Sequence, residues 1–331
     1  MSDTKYDVLA IGNAIVDIIA KCDDAFLADQ DIAKGGMTLI DMARAEQLYS
    51  DMGPAIETSG GSAGNTAAGI ASFGGKVAYI GKVSDDHLGK IFRHDIKAIG
   101  VDYDTPPLDY GETTARSMIL VTPDGERSMN TYLGACGKLS SKDIDPELVA
   151  QSKITYFEGY LWDPADAKDA IREAARIAHD NDRLVAMTLS DAFCVDRYRD
   201  EFLELMRSGT VDICFANDGE LKSLYQTSDI NSAIDAIRND CNLSAITMGA
   251  DGSMVVTREK TGTIDAQPID KLVDTTGAGD LYAAGFLFGL TDGRELGECA
   301  VLGSIAASEV IQHIGPRPQT SLKNLAQQLG L

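Results

Sequence analysis

Asp274-Thr275-Thr276-Gly277-Ala278-Gly279-Asp280 sets three small residues, two of them glycine, ahead of an apolar run at 281–290. Glycines let a backbone turn sharply and come close to a ligand, and the run beyond predicts a helix. The amides of Gly277, Ala278, Gly279 and Asp280 then become free donors at a helix start, which makes an anion site. Asp280 is a carboxylate placed where negative charge should gather. Two alternatives are open on this motif. Asp280 satisfies the helix N-terminus, or it is a base that deprotonates a hydroxyl attacking a bound phosphoryl group.

Other polar residues fall at ends of short apolar runs. Asn13 and Asp17 follow a run at 6–11 that ends in Gly12, where ligands sit in open α/β sheets. Each has an ordinary alternative, a turn for Asn13 and a solvated strand position for Asp17. Gly60-Gly61-Ser62-Ala63-Gly64-Asn65 is a glycine turn feeding a helix of small residues, and Asn65 either caps it or, with Gly61, meets a ligand hydroxyl. Asn217 and Glu220, three apart at a helix start, form a capping box or an oxygen pair that holds Mg2+ through waters. Gly249-Ala250-Asp251-Gly252 is a tight hairpin, with glycines that could lie over a nucleotide. The dinucleotide spacing G-x-G-x-x-G is missing, and no Gly-Lys pair is followed by Ser or Thr as a P-loop requires.

These residues need a scaffold, and the hydrophobic pattern supplies one. Strands are predicted at 6–11, 77–80, 154–157, 184–189, 211–215, 244–248 and 269–273. Helices are predicted between them at 87–99, 165–179, 195–207, 218–225 and 231–239, with others at 281–290 and 296–311. Strands alternating with helices predict a parallel sheet with helices on both faces. Two irregular segments, about 14–40 and 103–133, stand apart. The second carries β-like runs at 116–122 and 127–133 around a Pro123-Asp124-Gly125-Glu126 turn, and predicts a small β-layer that is either a lid or an edge sheet.

The chain of 331 residues is 44% hydrophobic and fits one large domain, 1–331. Its 51 acidic against 29 basic residues, a net charge of −22, argue against nucleic acid or an anionic membrane as partner. The six scattered cysteines predict reduced thiols, and the first residues lack the pattern of a signal peptide, so the expected location is the cytoplasm.

In order along the chain, the Gly60-Gly61 loop, Gly81-Lys82-Val83-Ser84-Asp85-Asp86, Asn217-x-x-Glu220 and Asp274–Asp280 resemble the motifs of the ribokinase-like (PfkB) kinases. The resemblance implies a three-layer α/β/α core, a mainly parallel sheet and a small β-sheet lid. It implies an ATP- and Mg2+-dependent phosphotransferase with Asp280 as base and the Gly277, Ala278 and Gly279 amides around the moving phosphoryl group. Asn13, Asp17, Gly61 and Asn65 would surround ribose hydroxyls. Thr247, Gly249 and Gly252 would line the ATP site with Asn217 and Glu220, the latter pair associated with Mg2+. The family's monovalent-cation site, for K+, would involve Asp274 and Thr276.

Gly12-Asn13-x-x-x-Asp17 and Arg127-Ser128-Met129-Asn130-Thr131-Tyr132-Leu133 most resemble family members that phosphorylate adenosine. There Met129, Thr131 and Leu133 would face a purine, Tyr160 could stack on it, and Arg127 or Arg116 could meet a phosphate. The Ser62-Ala63-Gly64 segment departs from the familiar pattern, which leaves inosine, guanosine or cytidine open as substrates, and ribose or fructose beyond them. A nucleoside-binding protein without turnover is the alternative of another class. Monomer and homodimer are both compatible with the sequence.

Overall fold

The computed structural model describes residues 4–331. The N-terminal part runs β1 (Tyr6–Ile11), β2 (Ile15–Lys21), α1 (Asp24–Asp29), β3 (Met37–Leu39), α2 (Met42–Asp51), β4 (Ala55–Ser59), α3 (Ser62–Phe73), β5 (Val77–Ile80), α4 (His87–Ala98) and β6 (Asp102–Tyr103). It continues through β7 (Ala115–Val121), β8 (Arg127–Tyr132), α5 (Pro146–Ala150), β9 (Ser152–Glu158), α6 (Ala165–Asp180), β10 (Leu184–Thr188), α7 (Ala192–Arg207), β11 (Ile213–Asn217), α8 (Asp218–Leu224) and α9 (Ile230–Asp240). The chain closes with β12 (Leu243–Thr247), β13 (Ser253–Thr257), β14 (Thr261–Ile264), α10 (Ala278–Thr291), α11 (Leu296–Val310) and α12 (Leu322–Gln328).

A nine-stranded sheet has the order β14-β13-β12-β11-β10-β9-β1-β5-β6, parallel except for the β12–β13–β14 meander. Strand β1 shows why both faces must be covered. Leu9 and Ile11 point into one core with α6 and α7, while Val8 and Ala10 point into another with α3, α10 and α11. All four are buried, and each of the larger side chains contributes about 1.5–3 kcal/mol by leaving water. The result is the α/β/α sandwich that the alternating pattern demands. The chain moves from β1 to β5 on one side and later returns through β9 on the other. Strand order therefore reverses beside β1, and in open α/β sheets ligands bind outside the strands' C-terminal ends at such a point.

The second sheet has the order β3-β8-β7-β2-β4. Ile18, Ala20, Met118, Leu120 and Tyr132 of one face pack under Leu27 of α1 and Ala45 and Leu48 of α2. Because side chains alternate, Asp17 and Ile19 project from the opposite face beside Ser117 and Ile119, and these beside Thr131 and Met129. Strand β4, which pairs with β2 from Val16↔Ser59 to Ala20↔Ala55, lies outside the segments 14–40 and 103–133. Asp86 joins the sheets: its carboxylate caps α4 at Gly89 N and also accepts from the Thr114 amide and hydroxyl.

One expected strand does not form. Residues 269–273 are irregular, and the amides of Val273 and Asp274 both donate to the Ile311 carbonyl at the end of α11. The apolar side chains that suggested a strand lie at the surface, with Leu272 57% exposed. The edge strand is instead β14, whose Thr-Gly-Thr-Ile sequence holds one apolar residue and carries no periodic signal.

Candidate active site

Helix α10 begins at the glycine loop. Gly277 caps it at φ +77°, a left-handed conformation that favours glycine, and a Cβ there would meet the Pro316 carbonyl at 2.7 Å. Of the four expected amide donors, that of Ala278 is already given to the Thr275 carbonyl at 3.2 Å. The amides of Gly277, Gly279 and Asp280 have no protein acceptor among the described residues. They form the anion-facing end of the helix.

Asp280 projects from this first turn toward α3. Its Oδ1 accepts from the Ser62 hydroxyl at 2.6 Å and its Oδ2 from Asn65 Nδ2 at 2.9 Å. The approach depends on Gly69, where a Cβ would stand 2.5 Å from Ala284 Cβ of α10. Small residues in α3 thus bring its N-terminal side chains onto the carboxylate. Burial raises the Asp280 pKa above the ordinary value, and the bonds from Ser62 and Asn65 pull it back.

At the reversal point, Asn13 is held by a residue that no sequence motif marks. Glu158, at the end of β9 and 1% exposed, accepts from Asn13 N at 3.0 Å, Asn13 Nδ2 at 2.7 Å and Ala63 N at 2.7 Å. Burial lifts its pKa to about 7 against those three donors. Gly61, at φ +83°, lies so close to the Asn13 carbonyl that a Cβ could not fit. Asp17 enters the same space from the small sheet and is 6% exposed. Its pKa is pushed to about 7 by burial, with Arg317 and Arg127 opposing and Asp280 reinforcing. Asn13, Asp17, Gly61, Asn65 and Asp280, far apart in sequence, therefore share one site.

Arg127 on β8 forms a buried ion pair with Asp274, which also accepts from the amides of Thr276 and Gly315, each at 2.9 Å. The small sheet, the glycine loop and the C-terminal loop meet on this carboxylate. Arg127 neutralises its charge. Met129 and Thr131 stand on the Asp17 face of the small sheet, where Thr131 Oγ1 bonds Ser117 Oγ at 2.9 Å. Leu133 lies just past β8, where the chain enters a short turn of 3-10 helix. The Arg116 guanidinium lies over the Tyr132 ring, toward the face covered by α2.

The remaining candidates follow the strand ends outward. Tyr160 follows β9 and gives its hydroxyl to Asp191 at 3.0 Å, with Glu220 and Asp280 in its charge environment. After β11, the capping box forms: Asn217 accepts from Glu220 N, and Glu220 accepts from Asn217 N and Nδ2. Glu220 is also pushed to about 7, by burial first and then by Asp191, Asp280 and Asp218. Crowded carboxylates with lone pairs left over fit a Mg2+ ion held through its waters, as that ion prefers. No group of three or more protein ligands directly suited to a metal occurs among the described residues. Thr247 is the register partner of Asn217, and beyond it Gly249 and Gly252 both have positive φ. At Gly252 the turn alone demands glycine, because a Cβ would overlap the Ile264 carbonyl.

Sequence inspection assigned no role to Ser62, Glu158 or Arg317. Ser62 lies inside the marked glycine loop, so its position was the available signal. Glu158 and Arg317 had none.

Known proteins place this geometry in context. A family profile described as pfkB family carbohydrate kinase matches residues 29–323. The crystal structure of adenosine kinase from Sinorhizobium meliloti is 64% identical, with 98% of this chain and 99% of that one covered and a TM-score of 0.95. A probable sugar kinase from Rhizobium etli is 59% identical over 99% of each chain, also with a TM-score of 0.95. Adenosine kinase of Saccharomyces cerevisiae is 28% identical over 93% of this chain and 96% of its own length.

Proposed function

The chain belongs to the pfkB family of carbohydrate kinases, and we propose that within it this protein is an ATP- and Mg2+-dependent nucleoside kinase acting on adenosine. The observation that carries the proposal is the Asp280 carboxylate, held by Ser62 and Asn65 beside the unbonded amides at the start of α10. The 64% identical adenosine kinase supports the choice of nucleoside. So does the small-sheet face, where Asp17 suits ribose hydroxyls and Ile19, Ile119 and Met129 provide the apolar surface a purine needs.

The reaction follows from these groups. Asp17 accepts hydrogen bonds from the ribose and fixes the 5′-hydroxyl near Asp280. Asp280 takes the hydroxyl proton as the oxygen bonds to the γ-phosphorus of ATP and the bond to the β-phosphate oxygen breaks, leaving ADP. The amides of Gly277, Gly279 and Asp280 stabilise charge on the phosphoryl oxygens, each contributing about 3 kcal/mol to the transition state. Asn217 and Glu220 would hold Mg2+ through waters, and the ion would neutralise charge on the nucleotide phosphates. With a net charge of −22, the molecule attracts no polyphosphate by its general field, so local donors and the ion do that work. The small sheet, tied to the glycine loop through Arg127 and Asp274, serves as the lid that excludes water.

The test is ADP release by purified protein with MgATP across adenosine, inosine, guanosine, cytidine, ribose and fructose. Adenosine should give the highest kcat/KM. A preference for ribose or fructose would retain the phosphoryl-transfer assignment and overturn the purine-facing lid. Binding of adenosine with no ADP release would make the chain a binding protein.

A further inference from the structure

Two opposite charges are buried beside the proposed nucleoside site and do not bond each other. The Asp17 carboxylate receives no hydrogen bond from any described residue. It presses on the backbone of Gly60, where an added Cβ would overlap it. The Arg317 guanidinium uses only Nη1, which donates to the hydroxyl of Ser59, the residue before Gly60. Arg317 Nε and Nη2 are buried without a partner. Nη2 faces α3 at Gly64, one residue from Asn65, whose Oδ1 is also buried and unpartnered. Buried guanidinium N–H groups left unpaired are costly, and two unpartnered nitrogens near a carboxylate that receives no donor point to a ligand.

The mounting of Arg317 is rigid. It stands between Pro316 and Pro318, whose rings restrict the backbone on both sides. Upstream, Gly315 N is bonded to Asp274 at 2.9 Å, and downstream Gln319 N and Thr320 N both donate to Glu309 Oε1. Pro316 packs on Gly277 of the glycine loop. The side chain is thus fixed to the same loop as Asp280.

We propose that Arg317 is a substrate-binding residue that pairs with Asp17 to recognise the vicinal diol of the ribose. Each hydroxyl of a diol donates one hydrogen bond and accepts others. Ionised Asp17 offers acceptors only, and Arg317 offers donors only. A hydroxyl between them satisfies both, donating to the carboxylate and accepting from Nε or Nη2. Arg317 remains charged at neutral pH: burial lowers its pKa to about 10, with Asp17 and Asp95 opposing. An analogue lacking that hydroxyl would strand a buried donor and a buried acceptor together, a mismatch that sites of this kind reject strongly.

This inference rests on the nucleoside reading, and its test separates the two. Adenosine, 2′-deoxyadenosine and 3′-deoxyadenosine are compared as substrates of the parent protein and of Arg317→Met and Arg317→Lys, with thermal melts as a control for folding. The parent should prefer adenosine over at least one deoxynucleoside by about 100-fold or more in kcat/KM. Arg317→Met should raise KM for adenosine about 100-fold, change kcat little, and reduce that preference to within a few-fold. Arg317→Lys should fall between, since it keeps the charge and loses the planar fork. A folded Arg317→Met with unchanged KM and preference would overturn the proposal. So would an equal loss on all three nucleosides, which marks a structural residue. If Arg317→Met does not fold, an unaltered preference in Arg317→Lys overturns it instead. A parent that phosphorylates no nucleoside would defeat the activity reading before any variant is made.

Discussion

Asp280 sits where two opposing influences on a carboxylate meet, and its usefulness as a base depends on their balance. Burial favours its protonated form, while Ser62 and Asn65 donate to the ionised form and favour that. The base must be ionised to accept the 5′-hydroxyl proton, so kcat should fall as pH drops through the Asp280 pKa. Removing a donor to the carboxylate raises that pKa. Ser62→Ala should therefore move the acid limb of the kcat–pH profile to higher pH while leaving the alkaline plateau within a few-fold. An acid limb that stays in place would show that Asp280 is not the titrating base. At this scale the sequence was informative in part. Asp280, Asn65, Asn13 and Asp17 were visible because each sits in or beside a glycine turn or a strand end. Glu158 was invisible, because its three donors come from residues 95 and 145 positions away and no local pattern records that meeting.

The elements that bring these residues together are legible for a different reason. Strands such as Val77–Ile80 and helices such as Ala165–Asp180 follow from hydrophobic period alone, and the structure reproduces them closely. The segment 269–273 misled because its apolar residues face solvent and its amides answer to α11, a tertiary partner that local pattern does not reveal. The contact of greatest consequence is α3 against α10. Gly69→Ala places a methyl 2.5 Å from Ala284 Cβ and 2.7 Å from Leu281 Cδ1. Overpacking of this kind costs about 1–3 kcal/mol, and it would also draw Ser62 and Asn65 away from Asp280. The variant should melt earlier and lose kcat more than it loses adenosine affinity. A variant with parental melting and turnover would show that this packing does not set the catalytic distance.

Across the whole molecule, the site lies between two sheets that serve different purposes. The large sheet fixes the strand ends at or beside which Asn13, Glu158, Asn217 and Thr247 stand. The small sheet brings Asp17, Met129 and Arg127 over them, and the C-terminal loop adds Arg317 from the far end of the chain. Strand alternation made the first sheet evident. The second was evident only in outline, because its strand β4 lies in sequence between α2 and the Gly60 loop rather than in either irregular segment. Acidity is general but charge compensation is local: Arg127 is paired with Asp274, and Arg317 stands beside Asp17. No helix among the described residues is long and apolar enough to cross a membrane.

The central claim, that Asp280 is the base of a nucleoside kinase, is tested most directly by Asp280→Asn. Adenosine affinity is measured by calorimetry and kcat by ADP release. The amide keeps the side chain's size and loses the proton acceptor, so adenosine should still bind with affinity within several-fold of the parent. Turnover should fall about 10²–10⁴-fold, the usual contribution of a positioned base. Near-parental turnover in a folded Asp280→Asn would contradict the account.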